Sequence, residues 1–341
     1  MNYRLFGQSG LRVSELCLGT MVFGTEWKWG ADLDTSKKVF DTFANAGGNF
    51  LDTANRYTEG TSEKYLAEFV STDRDHFVIA TKYSLRDRPG DLNFSGNHRK
   101  NMMRSVRDSL KRLNTEYIDV LWVHAWDSWT PTEEIMKGLE DLISRGLVHY
   151  IGVSDTPAWV VSQANTMAQL RGWSQFVGLQ IEYSLIQRTV EPELMPMAKA
   201  FGMTVTPWAP LAGGALTGKY LKGDRGRIPE TSLRLNERSV RITRKVVEVA
   251  EKLGVAASQV AINWTRQHKG QSVIPIVGAT KPSQVEDILG CLQFELPEDA
   301  MNELNEISKI ELPFPQKFFS EQTVVDILYG GIKDQMKDSR Y

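Results

Sequence analysis

Residues 49–60 read NFLDTANRYTEG. Asn49–Asp52 is a short apolar strand that stops on a carboxylate, and the polar residues after it form a loop carrying Tyr57. The same arrangement returns further on, where VIATKY places Lys82 at a strand end and DVLWVH ends on His124. Working outward, eight strand candidates emerge: Glu15–Gly19, Asn49–Asp52, Phe77–Thr81, Asp119–His124, Tyr150–Ser154, Phe176–Ile181, Thr204–Trp208 and Val273–Val277. Helical patterns lie between them over Ser36–Ala46, Lys100–Leu113, Thr132–Arg145, Ala158–Leu170, Pro192–Phe201, Ser239–Leu253 and Pro282–Leu289. Gly47, Gly48, Gly146 and Gly254 stand where helices should stop. Strand and helix in alternation imply a parallel sheet.

Two parallel architectures compete. A doubly wound nucleotide-binding sheet carries GxGxxG between its first strand and helix. No such run exists, and the nearest cluster, Gly213-Gly214 with Gly218, has the wrong spacing. Eight strand–helix units in 341 residues suit a (β/α)₈ TIM barrel of the α/β class. Residues 1–312 are expected to form that single domain, with 313–341 as a C-terminal extension. Three insertions follow strands on the side where barrels keep their binding loops: Thr25–Asp34, Leu85–His98 and the basic Lys222–Arg238. The extension opens on a proline-broken aromatic segment and reads either as a solvated tail or as a flap over the barrel mouth. Phe314, Phe318 and Phe319 tilt the choice towards the flap.

Composition narrows the function. A net charge of -2 gives no reason to expect nucleic acid or an anionic membrane as partner. Cys17 and Cys291 have no metal-ligand or disulfide spacing and read as small core hydrophobes. The N-terminal MNYRLFGQSG lacks a secretory h-region, and no apolar run approaches the roughly 18 residues of a membrane span. A cytoplasmic protein is expected.

In a barrel the reactive residues sit at the C-terminal strand ends. Asp52, Lys82 and His124 end three neighbouring strands, and Tyr57 lies on the loop beside them. Each alone has a bland reading: a helix cap, a packed aromatic, a satisfied core histidine. An ammonium at a buried strand end is harder to dismiss, because it needs a carboxylate partner, and Asp52 is the natural one. Together they suit proton donation to a carbonyl oxygen that gains charge as hydride reaches its carbon. The ammonium is expected to lower the Tyr57 phenol pKa, and an imidazole can orient the carbonyl or relay the proton. HExxH, HxH and GxSxG are absent, which disfavours hydrolysis.

At this point the chain resembles the aldo-keto reductases over nearly its whole length. The resemblance rests on GLRVSELCLGTMVFG, NFLDTANRYTEGTSEKYLAEF, FVIATKY, YIDVLWVHAWD, YIGVSD, LQIEYSLIQR, TPWAPLAGGALTGKY and PIVGATKPSQVEDI. It implies that Asp52, Tyr57, Lys82 and His124 form a catalytic tetrad with Tyr57 as general acid. It also implies NADPH, lying extended across the barrel mouth without a Rossmann unit. Thr20 and Met21 would then follow the first strand beside it. Ser154, Asp155 and Gln180 would bond the carboxamide, and Trp208 would stack on the ring. Ala209, Pro210, Leu211, Gly213 and Lys219 would line the pyrophosphate path, and Gly278, Thr280, Lys281, Gln284 and Asp287 the adenosine. Lys281, Arg225 or Arg227 would neutralise a 2′-phosphate.

Two positions depart from the family pattern. Asp155 stands where asparagine is usual, a feature shared with the fungal aryl-alcohol dehydrogenase-like branch, whose GVSDTPAWVV run is similar. Ile288 replaces an asparagine that commonly contacts adenine. Trp27, Trp29, Trp126 and Trp129 fall in loops after the first and fourth strands and suggest an aromatic-lined pocket for aryl or apolar aldehydes, alongside Tyr57 and His124. Related barrels serve as accessory subunits of potassium channels that read cofactor redox state. Those place asparagine after the fourth strand, so His124 favours an enzyme. A small-molecule carbonyl substrate is the expected partner.

Overall fold

The computed structural model describes all residues except 225, 227, 230, 269 and 337–341. A short hairpin, β1 (Tyr3–Leu5) and β2 (Arg12–Ser14), precedes eight strands in one parallel sheet. These are β3 (Cys17–Gly19), β4 (Phe50–Asp52), β5 (Val78–Tyr83), β6 (Ile118–Val123), β7 (Val148–Ser154), β8 (Phe176–Glu182), β9 (Thr204–Trp208) and β10 (Ile276–Val277). Their order follows the chain, with β10 beside β3. The seam between β9 and the run into β10 is closed by Ile274 N to Val205 O (2.9 Å) and Val205 N to Ser272 O (2.9 Å). The barrel expected from the sequence therefore closes.

The helices α1 (Leu33–Asn45), α2 (Thr61–Phe69), α3 (Arg99–Leu113), α4 (Thr132–Ser144), α5 (Ala158–Arg171), α6 (Leu194–Ala200), α7 (Glu237–Leu253), α8 (Ala257–Arg266), α9 (Pro282–Leu289) and α10 (Glu298–Ser308) surround it. The expected helices are all present, within a few residues at their ends. Sequence periodicity missed α2, α8 and α10. In α8 eight of ten residues, including Asn263, Thr265 and Arg266, are buried, so no polar face remains to show a period.

Alternation along the strands decides which residues enter the lumen. Phe50, Val78, Ala80, Val120 and Trp122 pack together inside, with Cys17, Ile274 and Ile276, while their odd neighbours pack outward on the helices. Phe6 of the hairpin loop closes the lower end, meeting Phe50 and Trp122 edge-on at 5.4 and 6.1 Å. The Trp122 indole fits only because Gly152 and Gly178 lie opposite; a Cβ there would stand 2.3 and 2.8 Å from its ring. Carrying the alternation one step higher points Asp52, Lys82 and His124 into the same lumen above Trp122.

Beyond α10 lie α11 (Gln316–Phe319) and α12 (Gln322–Tyr329). Gln316 donates to the Pro192 carbonyl (3.2 Å), just before α6. Phe314, Phe318 and Phe319 pack on one another and stay exposed. No helix among the described residues is long and apolar enough to cross a membrane.

Candidate active site

Parallel register sets the heights of the rim residues. Asp52 pairs with Ala80, and Lys82 pairs with Trp122, so Lys82 stands two residues above the level of Asp52 on the next strand. The His124 amide extends the ladder by donating to Tyr83 O (3.0 Å). Lys82 is wholly buried, and its ammonium forms an ion pair with Asp52. It also donates to the Thr53 carbonyl (2.7 Å) and reaches the Tyr57 hydroxyl at 3.0 Å. Gln180 Nε2 donates to the second Asp52 oxygen (2.9 Å). The Tyr57 and His124 rings meet edge-on at 5.9 Å. The four residues singled out from three strands and one loop thus form one contiguous cluster.

The electrostatics differ from the sequence-based expectation in one respect. Burial pushes the Tyr57 phenol above its ordinary pKa, and the Lys82 ammonium opposes that push without overturning it. The expected lowering is corrected to a net rise, because desolvating a phenolate outweighs one paired cation. Burial also penalises the Lys82 ammonium, yet Asp52 and Tyr57 more than offset it and hold the lysine above its usual value. Burial raises the Asp52 carboxyl against the pull of Lys82, but an acid receiving donors on both oxygens remains the anionic half of the pair. Burial, then the Lys82 charge, hold His124 well below the normal imidazole range. His124 is therefore neutral at pH 7, and its buried Nδ1 lacks a hydrogen-bond partner among the described residues.

The expected cofactor residues divide. Trp208, half-buried at the end of β9, donates from Nε1 to Asp155 Oδ1 (3.1 Å). Asp155 holds φ 41°, a left-handed conformation that aspartate and asparagine both tolerate, so the departure from asparagine keeps the backbone and changes only the donor. Ser154 Oγ is buried without a partner among the described residues. Ala209 (φ 55°) and, three residues further on, Ala212 (φ 49°), Gly213 (φ 69°) and Gly214 (φ 92°) adopt left-handed backbone after β9. Two alanines held there cost about 1–3 kcal/mol each, a strain that such surfaces carry where the backbone must meet a ligand. Lys219 Nζ stands over Gly214, 3.0 Å from where a Cβ would be. An orphaned hydroxyl, an indole face and a strained turn with Lys219 beside it fit an extended dinucleotide.

Other expected contact residues already have partners within the protein. Thr20 is wholly buried, and its hydroxyl bonds Asp52 O (3.0 Å) and Ser62 Oγ (2.7 Å), tying the end of β3 to β4 and α2. Gln180 Nε2 belongs to the charge cluster. Asp287 is engaged by Ser258 (2.5 Å) at the start of α8, and Gln284 Oε1 by the Thr280 amide (2.8 Å). Ile288 is buried in the helix–strand layer, so apolar packing occupies the place of the family's asparagine. Met21 is half-buried, Pro210 buried and Leu211 half-buried, while Gly278 and Lys281 are exposed. Arg225 and Arg227 lie outside the described residues.

The tryptophans also separate. Trp27 meets Tyr57 edge-on at 6.5 Å, and Trp29 packs tilted on Trp27 at 5.5 Å, so one indole stands beside the phenol with the second against it. Trp126 packs instead against Trp159 of α5 (5.7 Å), and Trp129 is 89% exposed. Sequence reading missed Arg234, whose guanidinium bonds Glu182 (2.6 Å) and lies 3.3 Å from the Cβ position of Gly213. The basic insertion around it was visible, but nothing in SLRL singled it out. It also missed Asn55, which accepts no notice in the sequence yet ties the tyrosine loop to Asp87 (2.7 Å) and the Lys82 carbonyl (3.2 Å).

With that geometry in hand, comparison places the chain. The pattern defining the Aldo/keto reductase family matches residues 15–309. The chain belongs to this family of oxidoreductases. It is 37% identical to norsolorinic acid reductase stcV of Emericella nidulans over 326 residues, covering 92% of this chain and 83% of that one. It is 36% identical to aryl-alcohol dehydrogenase [NADP(+)] of Phanerodontia chrysosporium over 343 residues, covering 94% and 89%. It is 35% identical to aldo-keto reductase ausK of Emericella nidulans over 332 residues, covering 92% and 83%.

Proposed function

We propose that the protein reduces aromatic or extended apolar aldehydes and ketones to alcohols with NADPH, and that Tyr57 delivers the proton. The observation that carries this reading is the 3.0 Å approach of the Tyr57 hydroxyl to a wholly buried lysine whose charge is balanced by Asp52. The bound cofactor supplies the hydride. Tyr57 Oη holds the proton that the carbonyl oxygen takes as charge builds on it. Lys82 stabilises the phenolate left behind, and Asp52 keeps the lysine in place and neutralised. His124, neutral and with its ring beside Tyr57, offers a hydrogen bond that orients the carbonyl. Ser154 and Asp155 would hold the carboxamide of the cofactor, and Trp208 would stack on its ring. Trp27 and Trp29 present apolar faces to the substrate, and the burial of the cluster excludes water. The naming of one relative as an aryl-alcohol dehydrogenase [NADP(+)] supports an aryl substrate and this cofactor.

The test follows nicotinamide absorbance with benzaldehyde-type substrates and small sugars, using NADPH and NADH in parallel. NADPH-driven turnover of the aryl aldehyde is expected. Tyr57→Phe should lower kcat by about 10²–10⁴-fold while NADPH still binds. Full activity in that variant would remove Tyr57 from the role, and a preference for sugars would remove the aryl assignment.

A further inference from the structure

Immediately after Tyr57 the chain runs through three left-handed residues: Thr58 (φ 45°, ψ 47°), Glu59 (φ 55°, ψ 30°) and Gly60 (φ 89°, ψ 0°), before α2 begins at Thr61. Glycine adopts that conformation freely. A β-branched threonine does so only where its surroundings over-determine it. Thr58 is wholly buried, and its hydroxyl donates to Phe23 O (2.5 Å) while accepting from Ser62 N (3.2 Å). Ser62 Oγ in turn bonds Thr20 and Thr53, and the Thr53 carbonyl receives one of the Lys82 protons.

The same turn holds the loop that carries the indoles. Glu59 accepts from Trp27 Nε1 (3.1 Å), and Thr61 donates to Glu26. Gly24 approaches so closely that a Cβ would stand 2.7 Å from Thr58 Cβ. Phe23 and Trp27 are thereby fastened to two residues of the turn and Glu26 to the first residue of α2, and the loop closes on itself through Gly24 N to Ala31 O (2.8 Å).

On the reading that Tyr57 is the acid, the geometry points to Thr58 as its positioning residue. Its hydroxyl locks the strained turn that aims Tyr57 at Lys82, and it joins the 23–31 substrate loop to the same unit. The coupling means that the acid is aligned when the Trp27 loop is seated.

Three variants separate hydroxyl from backbone. Thr58→Val keeps the branch and drops the hydroxyl, Thr58→Gly relieves the backbone and drops it, and Thr58→Ser keeps it. Valine and glycine should each lower kcat for aldehyde reduction roughly tenfold or more, since small misplacements of a reacting group are felt steeply. The high-pH limb should move upward, because Tyr57 leaves the ammonium that favours its ionised form. The dissociation constant for NADPH should change less than about threefold, and serine should recover kcat to within about threefold. Amide exchange at Gly24 and Ala31 should quicken in the valine and glycine variants. A folded Thr58→Val with kcat within about twofold and an unmoved limb overturns the proposal, as does a Thr58→Gly equal to wild type. If the wild-type protein reduces no carbonyl, the functional reading fails instead. Amide exchange then decides the coupling by itself, and unchanged rates at Gly24 and Ala31 would end it.

Discussion

Two ion pairs are buried at opposite ends of this barrel, and they differ in what surrounds them. At the floor, Arg266 and Glu15 meet at 2.9 Å. Asn2 N donates to the free carboxylate oxygen (2.8 Å), Asn263 accepts from Arg266 Nε (3.0 Å) and the Cys291 carbonyl from its Nη2 (3.4 Å). At the mouth, Lys82 and Asp52 are as deeply buried, yet their third neighbour is the hydroxyl of a half-buried tyrosine. An imidazole nitrogen and a serine hydroxyl without partners among the described residues lie at the same rim. A buried pair is thus no mark of a site. What distinguishes the mouth is hydrogen-bonding capacity left open beside the pair.

The widest gap between the two ends should appear on removing each cation. Lys82→Met and Arg266→Met both strand a buried carboxylate, and each should cost about 3–5 kcal/mol of stability by denaturant unfolding. Only Lys82→Met should also lower kcat, by about 10²-fold or more, with Arg266→Met within about twofold of wild type. Equal losses of turnover would erase the distinction between the ends.

The pH dependence of reduction sharpens it further. Reduction needs the Tyr57 phenol protonated, and its pKa is raised. Activity should therefore persist through neutral pH and fall only as pH rises through that elevated value. His124 is depressed and stays neutral, so no limb should appear near the ordinary imidazole pKa of about 6.5. A limb in kcat at that pH would show a protonated His124 in the reaction.

The smallest effect concerns the indoles. Trp27→Ala should raise KM for an aryl aldehyde roughly tenfold, the scale of a lost aromatic contact, with kcat changed less. Trp126→Ala, whose ring packs on α5, should change KM less than about threefold. The reverse order would place Trp126 rather than Trp27 against the substrate.

Local pattern accounts for much of this molecule. Each of Asp52, Lys82 and His124 ends one of three consecutive strands, so chain order in a parallel barrel was enough to place them at one rim. Strand order, helix spacing and the glycine stops were equally local. Where burial is complete the pattern vanishes, as in α8, and where a residue's partner is distant in the chain the sequence is silent. Thr20 follows the first strand as expected, and its hydroxyl partner, Ser62, could not be read from the residues around it. Trp126 lay in the expected loop but turned towards Trp159.

The sequence by itself determined the barrel and the identity of the cluster at its mouth, because strand polarity and two-residue alternation are properties of neighbouring residues. Only the tertiary structure decided the electrostatic balance on Tyr57, where desolvation by surrounding elements outweighs Lys82. It also decided which hydroxyls and indoles remain open, since that depends on partners 30 to 130 residues away, as with Thr20 to Ser62 (|i−j|=42) and Gln180 to Asp52 (|i−j|=128).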